Sequence, residues 1–235
     1  VCKNNKKADG EGVFWLGQHS TAGVVRFGIY LTGSNSTETY LDTDGAVLSN
    51  NSWYHVAATY DGNYQKIYIN GSLVKTSADR NTVLPSGTSE YRIGLSTANY
   101  FDGIIDEVRI WSTARSADEI AVNMERELVG NESNLVAYYK MSNGSGTTLT
   151  DNSSNSNTGT LNNMVTSGSS SDWVTSDAPL GLTTYTATFT PSSDRNTMIY
   201  IPASGFTDVA TNNNFASIPF YWTYDGPAPV YVSGT

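Results

Sequence analysis

The chain has 235 residues, 13 basic and 22 acidic, with a net charge of −9. The shortage of Lys and Arg excludes the electrostatic recognition of nucleic acid, which needs clustered cations on the phosphates. A single cysteine, Cys2, excludes an internal disulfide and a Cys-based zinc site, and no run of about 18 apolar residues is present to span a membrane.

Only 15% of the residues are charged, and the chain carries 15 Tyr, 5 Trp and 21 Gly. Such a polar, aromatic, Gly-rich chain suits short strands joined by many turns rather than a helix bundle. The acidity keeps a protein soluble, and it also suits hard divalent cations, which take carboxylate and carbonyl oxygens. The opening Val1-Cys2-Lys3-Asn4-Asn5-Lys6-Lys7 reads as the interior of a longer polypeptide.

In chain order, strands are predicted at 13–16, 24–31, 39–41, 53–60, 66–69, 91–95 and 104–111. Lys66-Ile67-Tyr68-Ile69 and Val108-Arg109-Ile110-Trp111 alternate in character, which gives one buried and one wet face. Between the strands lie Asp44-Gly45, Asp61-Gly62, Asn70-Gly71 and Asp102-Gly103, pairs that supply the positive φ angles of tight turns. The expected core contains Trp53, Val56, Ile67, Ile69, Ile93, Ile105, Val108 and Ile110. One helix follows. Ser116 and Glu119 form a capping box, Ile120, Met124 and Leu128 make an apolar stripe, and Gly130 is the stop signal. Strand returns at 135–141. The Gly/Ser/Thr/Asn-rich stretch 143–163 reads as a long structured loop anchored by Leu149 and Leu161. After Pro179-Leu180-Gly181 the composition changes. Tyr185, Ala187 and Phe189 alternate with threonines, and strands are predicted at 198–201 and 220–224. The expected domains are therefore 1–180 and 181–235. The second is too small for a stable sandwich by itself.

Trp53-Tyr54-His55-Val56-Ala57-Ala58-Thr59-Tyr60-Asp61-Gly62, then Ile67-Tyr68-Ile69-Asn70-Gly71, then Phe101-Asp102-Gly103-Ile104-Ile105-Asp106-Glu107-Val108-Arg109-Ile110-Trp111 resemble, in order and spacing, the bacterial laminin-G-like (concanavalin-A-like) jelly rolls. The helix at Ser116, the strand 135–140 and Trp173-Val174 continue the likeness, which covers residues 10–180. The resemblance implies an all-β antiparallel sandwich with one short helix. Such domains begin with one or two more strands than are visible here. The segments 185–191, 205–208, 212–214 and 222–226 resemble the second half of a bacterial immunoglobulin-like repeat, as found in tandem in large surface adhesins, including those of gliding bacteria.

Related jelly-roll glucanases carry two spaced carboxylates on one strand as nucleophile and acid/base. Asp106 and Glu107 are adjacent, so on a strand they face opposite ways, and the expectation is a non-enzyme. His55, within the signature strand, is expected as a core residue. For a metal, Asp151 to Asn157 offers oxygen donors at alternate positions, with Asn155 among them, but lacks the Gly and Glu of an EF-hand. The resemblance adds Asp106 and, less centrally, Asp102 as calcium ligands beside Asp151, so that a chelator should lower thermal stability. The competing reading is that Asp151 and Asn155 make Asx turns. Trp15, Tyr40, Tyr64 and Tyr100 lie within two residues of Gly, Asn, Asp or Glu at strand ends, and are the candidate aromatic surface for sugars. Six Asn-x-Ser/Thr sequons are what this composition produces by chance. Three roles remain open: a glycan- or surface-binding module of a secreted or cell-surface adhesin flanked by repeats, a carbohydrate-binding accessory module of a secreted polysaccharide-degrading enzyme, and a spacer.

Overall fold

The computed structural model describes residues 1–3, 13–30, 38–81, 83–84, 90–96, 99–180, 195–199 and 220–224. The chain divides into two compact units, Val1–Gly181 and Leu182–Thr235.

In the first unit, β1 (Cys2–Lys3), β2 (Phe14–Gln18), β3 (Val25–Tyr30), β4 (Glu38–Asp42) and β8 (Tyr91–Arg92) form one antiparallel sheet in the order β4-β3-β2-β1-β8. A second sheet holds β5 (Val56–Tyr60), β6 (Gln65–Ile69) and β7 (Ser72–Thr76). Alternation decides how they meet. Val25, Phe27, Ile29 and Leu41 leave the first sheet on one face and pack on Ile67 and Ile69 of the second, with Phe14, Leu16, Val56 and Ala58 around them. This is the antiparallel sandwich the sequence implies, with two inner faces interdigitating. Gln65, fully buried, ties the layers: its Nε2 donates to the Phe27 carbonyl (2.9 Å), and its Oε1 accepts from Arg80 Nε (3.1 Å).

A second apolar cluster gathers Val108, Ile110, Ala137, Tyr139 and Leu149, with Ile93, Ile105, Leu161 and Trp173 against it. It is built on the antiparallel pair of β11 (Val108–Trp111) and β12 (Leu135–Tyr139). The expected core is thus two clusters, not one. Trp53 belongs to neither. It is half-buried at the surface, where its indole N–H donates to Asp177 (2.6 Å). Leu149 lies in β13 (Thr148–Leu149), which pairs with β14 (Gly159–Thr160), so the polar 143–163 stretch is ordered around a small hairpin.

Backbone angles cut several predicted strands short. The 91–95 strand breaks at Gly94 (φ 77°), and the chain leaves the first sheet to pair β9 (Leu95–Ser96) with β10 (Asn99–Tyr100). Strand 104–111 begins only at Val108, because Glu107 sits at φ 53°. The Asn70-Gly71 turn holds: φ is 47° and 75°, both positive, as a type I′ hairpin requires.

Helix α1 (Ala117–Asn123) starts as predicted. Glu119 N donates to Ser116 Oγ (3.2 Å) and Ser116 N donates to Glu119 Oε2 (2.9 Å). It ends a turn earlier than its apolar stripe suggests. Leu128 lies beyond it and packs with Leu135 and Tyr138. Gly130 is therefore not a helix stop; its chain passes against Asn152 instead.

In the second unit, β15 (Arg195–Ile199) pairs antiparallel with β16 (Phe220–Tyr224). The alternating segment around Tyr185, Ala187 and Phe189 lies outside the described residues.

Candidate functional site

The face of the first sheet that points away from the core carries an aromatic and charged surface. Register places Trp15 of β2 opposite Gly28 of β3, and Gly28 opposite Tyr40 of β4. Three strands thus contribute to one row. Gly28 leaves room for the indole to lie across it: a Cβ there would stand 2.3 Å from Trp15 Nε1 and 2.9 Å from Cε2. The Trp15 and Tyr40 rings meet at 6.0 Å and 67°, an edge-to-face contact.

A polar frame fixes the two rings. Trp15 Nε1 donates to Glu38 Oε1 (2.7 Å), and the Tyr40 hydroxyl donates to the other Glu38 oxygen. Arg26 donates through Nε and Nη2 to both oxygens of Asp42 (2.5 Å each) and stacks on the Tyr40 ring at 4.5 Å. The Asp42 hydrogen bond raises the Arg26 pKa, and the Arg26 bond holds the Asp42 carboxyl below its ordinary value. Burial and the bond to Glu38 push the Tyr40 phenol up to about 12. The frame is thus the Glu38 and Asp42 carboxylates, the Arg26 guanidinium and the Tyr40 phenol. Tyr40 remains 43% exposed, enough to take a ligand on its ring.

Of the four predicted sugar-contact residues, the structure brings Trp15 and Tyr40 together. Tyr64 is on the β5–β6 loop and Tyr100 on β10, 72% exposed; among the described residues neither has a ring contact with the other two. Arg26, Gly28, Glu38 and Asp42 were not singled out from the sequence. Their signal was the alternation Glu38-Thr39-Tyr40-Leu41-Asp42 opposite Arg26-Phe27-Gly28, which puts all of them on the wet face.

The predicted metal residues do something else. Asp151 is buried and its two oxygens accept from Tyr138 N (2.9 Å), Ser153 N (2.8 Å), Ser153 Oγ (2.8 Å) and Asn157 N (2.7 Å). Burial alone would raise its pKa, but those bonds outweigh it and the carboxyl lies below its ordinary value. Asn155 donates from Nδ2 to the Leu135 and Val136 carbonyls. Asp106 Oδ1 accepts from Glu107 N (2.9 Å), and Asp102 is exposed. Among the described residues no three His, Cys, Asp or Glu side chains gather around one point. The Asp151 oxygens, as arranged, are saturated by donors and leave none free for a cation. The expected result is that a chelator leaves the melting temperature unchanged. A fall of several degrees that calcium restores would place a cation here after all.

Glu107 and Arg109 form a structural node. Arg109 donates to Glu107 Oε2 (2.5 Å), to the Asn123 carbonyl (2.5 Å) and to the Arg126 carbonyl, which ties the end of α1 to the sandwich. The Tyr138 hydroxyl donates to Glu107 and accepts from Leu128 N (3.1 Å). Asp106 and Glu107 precede β11, so the strand-face argument against their pairing does not apply. Glu107 is instead occupied by Arg109 and Tyr138.

His55 lies near this node, with Nδ1 buried and unpartnered among the described residues. Burial, then the Arg109 charge, lower its pKa to about 4, against an unfolded value near 6.5. The unfolded chain therefore takes up a proton first as pH falls. Stability is full above pH ~6.5 and drops towards pH ~4, by about 2 kcal/mol after allowing for partial exposure. Urea midpoints from pH 7 to 4.5 would show this decline, and His55→Gln should flatten it.

Residues 4–121, half of the chain, match the family model described as the concanavalin A-like lectin/glucanases superfamily. With the antiparallel sandwich described above, the chain belongs to that family. Mouse pappalysin-1 is 38% identical and human pappalysin-1 35% identical, each over 78 residues that make up 31% of this chain and 5% of that protein. The chain thus spans about 5% of the length of the curated relatives it matches. Among solved structures, a protein from Bacteroides ovatus described as carbohydrate-binding superposes with a TM-score of 0.43 at 26% identity, over 55% of this chain and 37% of that one. An S-layer domain-containing protein from Clostridium thermocellum gives 0.29 at 33% identity, over 43% and 51%.

Proposed function

We propose that the first unit is a non-catalytic glycan-binding module, with Trp15 and Tyr40 as its contact surface. The observation that carries this is the Trp15–Gly28–Tyr40 row, in which a strand is emptied of its side chain so that an indole lies on the sheet beside an exposed phenol. Aromatic faces cover the apolar face of a sugar, and neighbouring carboxylates and guanidinium bond its hydroxyls. The carboxylates of this surface are already engaged, Glu38 by Trp15 and Tyr40 and Asp42 by Arg26, which favours binding over acid/base chemistry. Family membership among lectins and glucanases supports a glycan ligand.

The match to a small part of pappalysin-1 supports a module set within a longer polypeptide. We place that polypeptide outside the cell, secreted or on its surface, where the second unit would be part of an immunoglobulin-like repeat in a row of neighbours, as in adhesins. No helix among the described residues is long and apolar enough to cross a membrane.

Affinity electrophoresis through gels containing soluble polysaccharides tests the site. The wild type should be retarded by at least one polymer. Trp15→Ala should weaken that retardation about thirtyfold, the ~2 kcal/mol of a central aromatic contact, and Tyr40→Ala by less. Retardation that survives Trp15→Ala would move the site elsewhere.

A further inference from the structure

We infer that the glycan taken by the Trp15–Tyr40 surface is uncharged: a neutral hexose or pentose chain, without uronate, sulfate or phosphate groups. The inference rests on the glycan-binding reading above and adds its chemical class.

Three ionisable side chains frame the rings, and the geometry accounts for each. Arg26 is the cation among them, and it is spent. Its Nε and Nη2 are bound to both oxygens of Asp42, and its flat face lies on Tyr40. Recognition of a carboxylate or sulfate uses such a fork in its free state. The Glu38 carboxylate accepts from the Trp15 N–H and the Tyr40 hydroxyl, so it sits at the junction of the two rings. With Asp42 and Glu38 against Arg26, the frame carries one net negative charge. An anionic sugar laid on Trp15 would bring its charge to Glu38, while Arg26, the cation of this frame among the described residues, is already held by Asp42, in a partly desolvated setting where like charges repel most strongly. The chain's net charge of −9 adds repulsion at longer range. A neutral sugar meets none of this: its apolar face covers an indole, and its hydroxyls can donate to the outward lone pairs of Glu38 and Asp42.

The test compares gels containing neutral polymers (β-glucan, galactomannan, xylan) with gels containing polygalacturonate or dextran sulfate, at low and at physiological salt. The wild type should be retarded by a neutral polymer and by neither anionic one. The double variant Glu38→Gln, Asp42→Asn frees Arg26 and makes the frame net positive. It should be retarded at least threefold more than wild type by the anionic polymers at low salt, and the gain should fade as salt screens it. Circular dichroism would confirm that the variant is folded. Wild-type retardation by an anionic polymer that exceeds retardation by every neutral one would overturn the charge class while leaving a glycan site in place. Retardation by no polymer of either kind would overturn the glycan reading itself.

Discussion

Replacing Gly130 by alanine is expected to be the most damaging single-methyl change in the first unit. Gly130 sits at φ 97°, where an L side chain is strained, and a Cβ built there would stand 1.9 Å from the carbonyl oxygen of Asn152. That neighbour is backbone, so it cannot swing aside. It belongs to the segment that Ser154 N bonds back to the Gly130 carbonyl (3.0 Å) and that Asp151 organises. The strain and the collision each cost about 1–3 kcal/mol, which gives a loss of roughly 3–5 kcal/mol. Urea denaturation of Gly130→Ala would read this as a large fall in midpoint with an unchanged slope. Gly45→Ala makes the control. Gly45 shares the positive φ (114°), but no atom lies within 4 Å of its missing Cβ, so only the conformational part of the penalty should appear.

The second large effect lies at Asp151. Its carboxylate serves the amides of Tyr138, Ser153 and Asn157, all in the region where β12 meets the 151–157 loop. Asp151→Ala takes the acceptor from three amides at once at a site that is only 8% exposed. Unpaired buried amides cost about 1–3 kcal/mol each, some of it recovered by water, so a loss of roughly 3 kcal/mol is expected. Asp151→Asn should fall between. Its carbonyl oxygen can still accept, but its NH₂ faces a donor where an acceptor is needed. The pH dependence has a definite sign. Because the folded carboxyl has a depressed pKa, its contribution is present above the unfolded value near 3.9 and is lost as pH drops through the folded one. That places its loss below the His55 decline, so the two should be separable in one pH series.

These two positions also show where sequence reading stops. The capping box of Ser116 and Glu119 and the Asn70-Gly71 turn are local devices, each complete within four residues, and both formed as read. The inward face of β6, Ile67 and Ile69, was equally legible, since period-two alternation needs no knowledge of the partner strand. What failed was non-local. Gly130 looks like a helix stop until Asn152 is seen against it, and Leu128 extends the helical stripe until Tyr138 and Leu135 claim it. Trp53 sits in the most recognisable motif of the chain yet lies at the surface, because Asp177, distant in sequence, offers it a hydrogen bond. β7 was invisible to periodicity because Leu73 and Val74 are exposed on it; the turn, not an apolar face, brings it into the sheet.

The site was half legible for the same reason. An aromatic beside polar residues flagged Trp15 and Tyr40 but equally Tyr64 and Tyr100. Only the register of β2, β3 and β4 joins the first two and excludes the others. Asp151 was flagged by its run of oxygen donors. Whether such oxygens face a cation or backbone amides depends on where β12 passes, and here it delivers the Tyr138 amide.

The most direct test of the central claim is a titration followed by the indole N–H resonances of the five tryptophans. A neutral oligosaccharide that binds should shift the Trp15 signal, because its N–H is held by Glu38 at the contact surface, and should leave those of Trp53, Trp111 and Trp173 in place. A bound glycan that shifts Trp53, Trp111 or Trp173 while Trp15 stays still would contradict the assignment of the binding face.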